Sequence, residues 1–254
     1  KGIESEPISF EVKCLAKQKE SKIYYVGIGV SDYEDASMNL KYADIDVQRL
    51  SKVFADRYKS KLIIDTLLNK SATKDAIKQL KIKLEQTDVD DTIIISFSGH
   101  GLISKDDEFY FATHDIDFNL PEVKGISYNE IHDLLTNIPA RKKLLLLDAC
   151  HSGELDNTSF SENKNNKVVE HVPEGAKGSI AVSSASKNED TFNLMQSLFF
   201  DTNRGNGAYV ISAAGGAEFA YESKDWKNGV FTYSFINALY YLRYNENGIS
   251  ISQL

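Results

Sequence analysis

Two short segments carry residues able to do nucleophilic chemistry: Ser98-Gly99-His100-Gly101 and Asp148-Ala149-Cys150-His151-Ser152-Gly153. A thiol near its ordinary pKa is mostly protonated at neutral pH, and a neighbouring imidazole makes it a thiolate by taking the proton. His100 and Cys150 supply that pair. Attack of a thiolate on a carbonyl builds an oxyanion that needs preorganised donors. Small residues let backbone amides approach it, so the N–H groups of Gly101 and Cys150 are the candidate oxyanion hole. Taken singly, each side chain has a plainer reading, a satisfied structural histidine or a small core hydrophobe. Taken jointly, both close an apolar run, both stand near glycine, and an acid precedes the Cys by two residues, which favours catalysis. Cys14 has no such context and reads as core.

The elements that must position this pair follow from the apolar runs before each motif. Residues 92–97 and 143–147 are continuous apolar stretches of strand length, suited to central strands covered on both faces. A polar, glycine-containing turn at the carboxyl end of such a strand is where open α/β sheets gather their chemistry. Along the chain, a strand at 23–30 precedes a helix at 43–58, a strand at 61–67, a helix at 73–86 and the strand at 92–97. Next come a small antiparallel arm at 109–113, a helix near 127–135, the strand before Cys150, a strand at 209–213 and a helix at 231–244. This alternation predicts an α/β fold with a mostly parallel sheet and helices on both faces.

The two motifs, in this order, resemble the caspase superfamily, and within it the bacterial metacaspase and paracaspase branch. Caspases carry Gln-Ala-Cys at the nucleophile, whereas Asp148-Ala149-Cys150 is the acidic form that resembles metacaspases and paracaspases. The segment Leu40-Lys41-Tyr42-Ala43-Asp44-Ile45-Asp46-Val47-Gln48-Arg49-Leu50 looks like the family's first helix, with Asp46 matching the acid that lines the primary specificity pocket. The stretch Gly216-Ala217-Glu218-Phe219-Ala220-Tyr221-Glu222, followed by Asn228-Gly229-Val230-Phe231-Thr232-Tyr233, resembles the region where paracaspases place another pocket acid. Glu222 is the match there, with Glu218 the fallback. The resemblance implies a caspase-like three-layer sandwich spanning most of residues 23–254. It also implies a cysteine endopeptidase working through a His100–Cys150 dyad and a thioester acyl-enzyme.

Asp46, Asp148 and Glu222 around one cleft would attract a cation, and a planar guanidinium satisfies several carboxylate oxygens at once. The expected cleavage is therefore after Arg, then Lys. A substrate Asp would be buried against like charges, a cost of several kcal/mol. The plain reading of a carboxylate on an early helix is a solvated surface residue, and Asp44 shares that helix.

After the nucleophile, residues 154–206 form a long insertion. Its first part is polar, too poor in apolar residues to pack, and carries Lys164 and Lys167, with Lys177 just beyond; all three are candidate self-cleavage sites. Its second part holds the apolar patch 192–200, read as a helix against the sheet, with an interface or latch as the alternative. Residues 1–22 read as a linker or tail from an upstream sensor or repeat domain, and residues 249–254 stop short of the last elements of related domains.

Composition bounds the partners. The 254 residues are 42% hydrophobic, enough for a sizeable core. A net charge of −8 and a pI near 5.2 argue against general nucleic-acid binding and suit basic peptides. The lysine-rich stretch 74–83, with Ile77, Leu80 and Leu84 at helical spacing, reads as the solvated face of an amphipathic helix. Two cysteines exclude a disulfide framework and suit a reducing compartment such as the cytoplasm. No apolar run reaches the length of a membrane helix. The dyad requires no cofactor or metal. Calcium stays in view because metacaspases often need it, with Asp106, Asp107, Asp115, Asp117 and Asp156 the acids to consider. No spacing matches an EF-hand, and none of these acids is assigned as a ligand. Two other functions fit the same residues: a catalytically silent scaffold that binds partners, and a thiol acyltransferase whose acyl-enzyme is captured by an amine.

Overall fold

The computed structural model describes residues 19–106, 108–149, 176–177, 208–213 and 220–241. In chain order these form β1 (Ile23–Gly29), α1 (Ala43–Tyr58), β2 (Leu62–Leu68), α2 (Lys74–Leu84), β3 (Thr92–Ser98), β4 (Gly101–Ile103), β5 (Phe109–Phe111) and α3 (Pro121–Lys124). They continue as β6 (Ile126–Ser127), α4 (Tyr128–Leu135), β7 (Lys142–Asp148), β8 (Ala176–Lys177), β9 (Ala208–Ser212), β10 (Ala220–Ser223), β11 (Asn228–Gly229) and α5 (Val230–Tyr241). The central sheet has five strands in the order β2-β1-β3-β7-β9. Every pairing in it is parallel.

Successive side chains of a strand point to opposite faces, so a run apolar at every position feeds two cores. On β3, Ile93, Ile95 and Phe97 enter one core and Ile94 the other; on β7, Leu145 and Leu147 divide from Leu144 and Leu146 in the same way. The first core receives Ile77, Leu80 and Leu84 of α2 and Ile131, Leu134 and Leu135 of α4. The second receives Leu50 and Phe54 of α1 and Phe235 and Leu239 of α5. Helices thus cover both faces, which is the expected three-layer sandwich.

Two local devices set these helices in place. Thr73 caps α2 by accepting from the Ala76 amide at 3.3 Å, and Ser127 with Glu130 forms a reciprocal capping box at the start of α4. Helix α1 lies unusually close to β1: a Cβ on Gly29 would stand 2.8 Å from the Ala43 carbonyl and 2.9 Å from the Asp44 Cα. Only glycine permits that approach, and it brings the first turn of α1 to the carboxyl end of β1.

The arm expected at 109–113 is the middle strand of a larger feature, the antiparallel sheet β4-β5-β6. It packs Leu102, Phe109, Phe111 and Ile126 onto the first core. The helix expected at 73–86 is shorter because Thr73 is its cap, and the one expected at 231–244 begins at Val230 and is described as far as Tyr241. Cys150, His151, Lys164, Lys167, Glu218, Asp107, Asp156, Cys14, the patch 192–200 and the chain ends 1–18 and 242–254 lie outside the described residues. Lys177 enters only as a backbone position of β8, opposite Ala220.

Candidate active site

Strands β3 and β7 end level with each other, Ser98 opposite Asp148. His100 follows Ser98 by two residues and Cys150 follows Asp148 by two, so both motifs leave the same edge of the sheet from adjacent strands. The Gly99 amide still bonds the Asp148 carbonyl, at 3.3 Å, past the end of the ladder.

His100 is buried, 4% exposed. Its ring Nε2 lies 2.8 Å from the carbonyl oxygen of Met38. A carbonyl only accepts, so Nε2 carries a proton, and Nδ1 is the nitrogen that can exchange one. Met38 ends a short 3-10 turn, Ala36–Met38, capped by Asp35, whose Oδ1 accepts from the Ser37 hydroxyl at 2.6 Å and the Ser37 amide at 3.0 Å. Those two bonds hold the Asp35 carboxyl below its ordinary range. The imidazole packs against two rings, Tyr33 at 5.2 Å and Phe118 at 5.9 Å between centroids, which also touch each other at 5.5 Å. Gly101, the candidate oxyanion donor, opens β4 and pairs with Phe111.

Asp46 lies in the first turn of α1 and is fully buried. Its Oδ1 accepts from the Asn228 side-chain amide at 2.7 Å and the Gly229 backbone amide at 2.9 Å, and its Oδ2 accepts from the Ser98 hydroxyl at 3.1 Å. Behind Asn228 stands Arg49, which donates to the Asn228 side-chain oxygen Oδ1 and to the Trp226 backbone carbonyl. Asp148 is 2% exposed, and its Oδ2 accepts from the Thr232 hydroxyl at 3.1 Å. The fold therefore brings Asp46, Ser98 and Asp148 into one buried polar cluster at the strand ends that also lead to His100. Buried carboxylates need such donors, since an unpaired one is costly to bury.

Glu222 occupies a different position. Its two oxygens accept the backbone amides of Lys41, at 2.9 Å, and Tyr42, at 2.8 Å, at the start of α1. The cap residue there, Tyr42, has no side-chain capping bond. A carboxylate on these donors also suits the positive end of the helix dipole. Asp115 is paired with Lys124 at 3.2 Å, and Asp117 accepts the Asn119 amide at 2.8 Å. Among the described residues no group of three or more His, Cys, Asp or Glu is arranged to hold a metal ion.

Sequence reading passed over Ser98, Asn228, Thr232 and the Met38 carbonyl. The first three lie inside motifs already picked out, and for Ser98 and Asn228 the available signal was a hydroxyl or amide directly before a glycine. Met38 contributes only backbone, which leaves none.

The model of the caspase domain, peptidase C14, matches residues 26–246. The chain belongs to the caspase domain family. That family is one of cysteine peptidases acting on protein substrates, and the five-stranded parallel sheet between helices is its fold. The crystal structure of protein GSU0716 from Geobacter sulfurreducens is similar in fold, with a TM-score of 0.59 over 88% of this chain and 84% of that one, at 16% sequence identity. A search of curated proteins finds no match. Among the described residues, no helix of this caspase domain is long and apolar enough to cross a membrane.

Proposed function

We propose that this caspase domain is a cysteine endopeptidase that cleaves after Arg, and less well after Lys. The observation that carries the reading is the pair of buried carboxylates, Asp46 and Asp148, flanking Ser98 at the strand ends that lead to His100 and Cys150. In the proposed cycle, Nδ1 of His100 takes the Cys150 proton and the thiolate attacks the scissile carbonyl, forming a C–S bond. The amides of Gly101 and Cys150 hold the oxyanion. Collapse breaks the C–N bond, His100 returns the proton to the leaving amine, and a thioester remains. Water, deprotonated by His100, then hydrolyses the thioester.

Specificity follows from charge. A guanidinium can share two carboxylates in a forked geometry, an ammonium acts as a point charge, and a substrate carboxylate is repelled. Asp46 is covered by Asn228 and Gly229, and Arg49 occupies the far side of the Asn228 amide, so the carboxylate acts on the substrate through its field, or directly once that amide is displaced. Glu222, held on the α1 amides, adds negative field at the rim. A cytoplasmic location accords with the two-cysteine composition.

The test is hydrolysis of fluorogenic peptides ending in Arg, Lys or Asp, with Cys150→Ala as blank. Cleavage after Arg that is absent in Cys150→Ala and His100→Ala is the expected result. Preference for the Asp peptide overturns the pocket, and hydrolysis surviving in Cys150→Ala overturns the dyad.

A further inference from the structure

The loop between β1 and α1 makes two hydrogen bonds to His100. One contact is the Met38 carbonyl on ring Nε2; the other is the Tyr33 hydroxyl, which accepts the backbone N–H of His100 at 3.0 Å. Tyr33 is 2% exposed. Its hydroxyl sits so close to the turn that a Cβ on Gly99 would stand 3.0 Å from it. The glycine between Ser98 and His100 is therefore the residue that admits this hydroxyl. Burial above all, with the charge of Glu222 adding to it, pushes the Tyr33 hydroxyl up from its ordinary range, so it meets the amide as a neutral oxygen.

The loop is itself tied down. The Tyr33 amide donates to the Asn39 side chain at 2.7 Å, Leu40 to the Ser31 carbonyl at 2.9 Å, and Glu34 to the His114 carbonyl at 3.0 Å. Asn69 accepts the Ser31 amide at 2.8 Å. A loop fixed at several points and joined to one histidine through both backbone and ring works as a jig for that residue.

We propose that Tyr33 is a positioning residue for the reaction: its hydroxyl fixes the Gly99–His100 peptide, and so sets where the imidazole and the following Gly101 amide stand relative to the nucleophile. This rests on His100 acting as the base. Small displacements of a reacting group are expensive, about a hundredfold in rate for roughly 1 Å. Tyr33 touches no substrate in this scheme, so its loss lowers turnover and spares binding.

Tyr33→Phe in the full chain keeps the ring and removes the oxygen. The expected result is a kcat lower by about 10- to 100-fold with KM within about twofold. Alkylation of Cys150 by iodoacetamide at neutral pH slows in parallel, because thiolate formation depends on the same imidazole. A merely structural tyrosine would lower the melting temperature and leave both rates per folded molecule unchanged, and that outcome overturns the proposal. Should Tyr33→Phe not fold, Asn39→Ala unties the Tyr33 amide and is judged by the same two rates. Failure of the peptidase reading looks different: Cys150→Ala hydrolyses like wild type, or wild type cleaves no peptide. In the second case the alkylation rate alone decides the role of Tyr33.

Discussion

Replacing Asp46 by Asn separates its charge from its architecture. The side chain keeps its shape; one oxygen still accepts from Asn228 and Gly229, and the new amide faces the Ser98 hydroxyl, which can turn to accept. Three bonds lose the strengthening that an ionised acceptor provides, about 1 kcal/mol each, partly offset because a buried charge disappears. The expected fall in melting temperature is only a few degrees, at about 2–4 °C per kcal/mol for a domain of this size. Asp46→Ala would instead strand three buried donors at about 1–3 kcal/mol each, and confuse folding with function. For the substrate, consider a guanidinium roughly 6 Å from the Asp46 carboxylate. At an effective dielectric near 20 the attraction is about 3 kcal/mol, or about a hundredfold in kcat/KM. Direct contact at about 4 Å would raise this to about 4 kcal/mol. A peptide ending in citrulline, the neutral relative of Arg, carries none of that energy. Paired kcat/KM measurements should show the Arg-to-citrulline ratio dropping by about two orders of magnitude in Asp46→Asn. If both peptides lose activity equally, Asp46 only holds β11 and α1 together, and the argument from charge is wrong.

Self-processing predicts that wild-type protein on storage yields fragments cut after Lys164, Lys167 or Lys177, resolved by intact mass, while Cys150→Ala stays whole; an identical band pattern in both refutes it. Activity against the Arg peptide should survive chelator, since the dyad uses no metal; loss restored by calcium alone would reverse that expectation. For Glu130, burial pushes the carboxyl up, but the Ser127 amide, Lys78 at 3.0 Å and Lys74 at 3.4 Å outweigh it, and the group is held below its ordinary value of 4.5. A depressed folded pKa gives stability that is complete above pH 4.5 and lost as pH falls through the folded value. Thermal melts should therefore show Glu130→Gln less stable than wild type by about 1 kcal/mol near neutrality, with the gap closing below that range; a gap independent of pH would refute the assignment.

The central sheet was legible because β3 and β7 carry consecutive apolar residues, Ile93 to Ile95 and Leu144 to Leu147, which only a strand between two cores can use, and because the helical spacing of Ile77, Leu80 and Leu84 gave one of the covering layers. The small sheet β4-β5-β6 was under-read for a physical reason. Its outer strands are three and two residues long, too short for alternation to be counted, and they are held by pairing that joins residues far apart in sequence, Phe111 with Ile126 among them.

Side-chain chemistry announced His100 and the resemblance to the caspase superfamily announced the acids, but neither could say which carboxylates hold charge for a ligand and which close a helix. Glu222 shows the difference. A helix leaves its first amides without partners, and a Ser, Thr, Asp or Asn before the first turn normally supplies one. Helix α1 begins after Lys41 and Tyr42, neither of which has the short polar side chain that caps a first turn, so that gap in the sequence was itself a sign that an acid from elsewhere would be drawn in. Asp46 satisfies the opposite condition: four positions into the same segment, it faces the sheet edge and meets donors from β3 and β11. The two acids are therefore coupled through one helix, Glu222 fixing where α1 starts and Asp46 projecting from it. A change in Glu222 should act on specificity through the position of Asp46 as well as through its own charge.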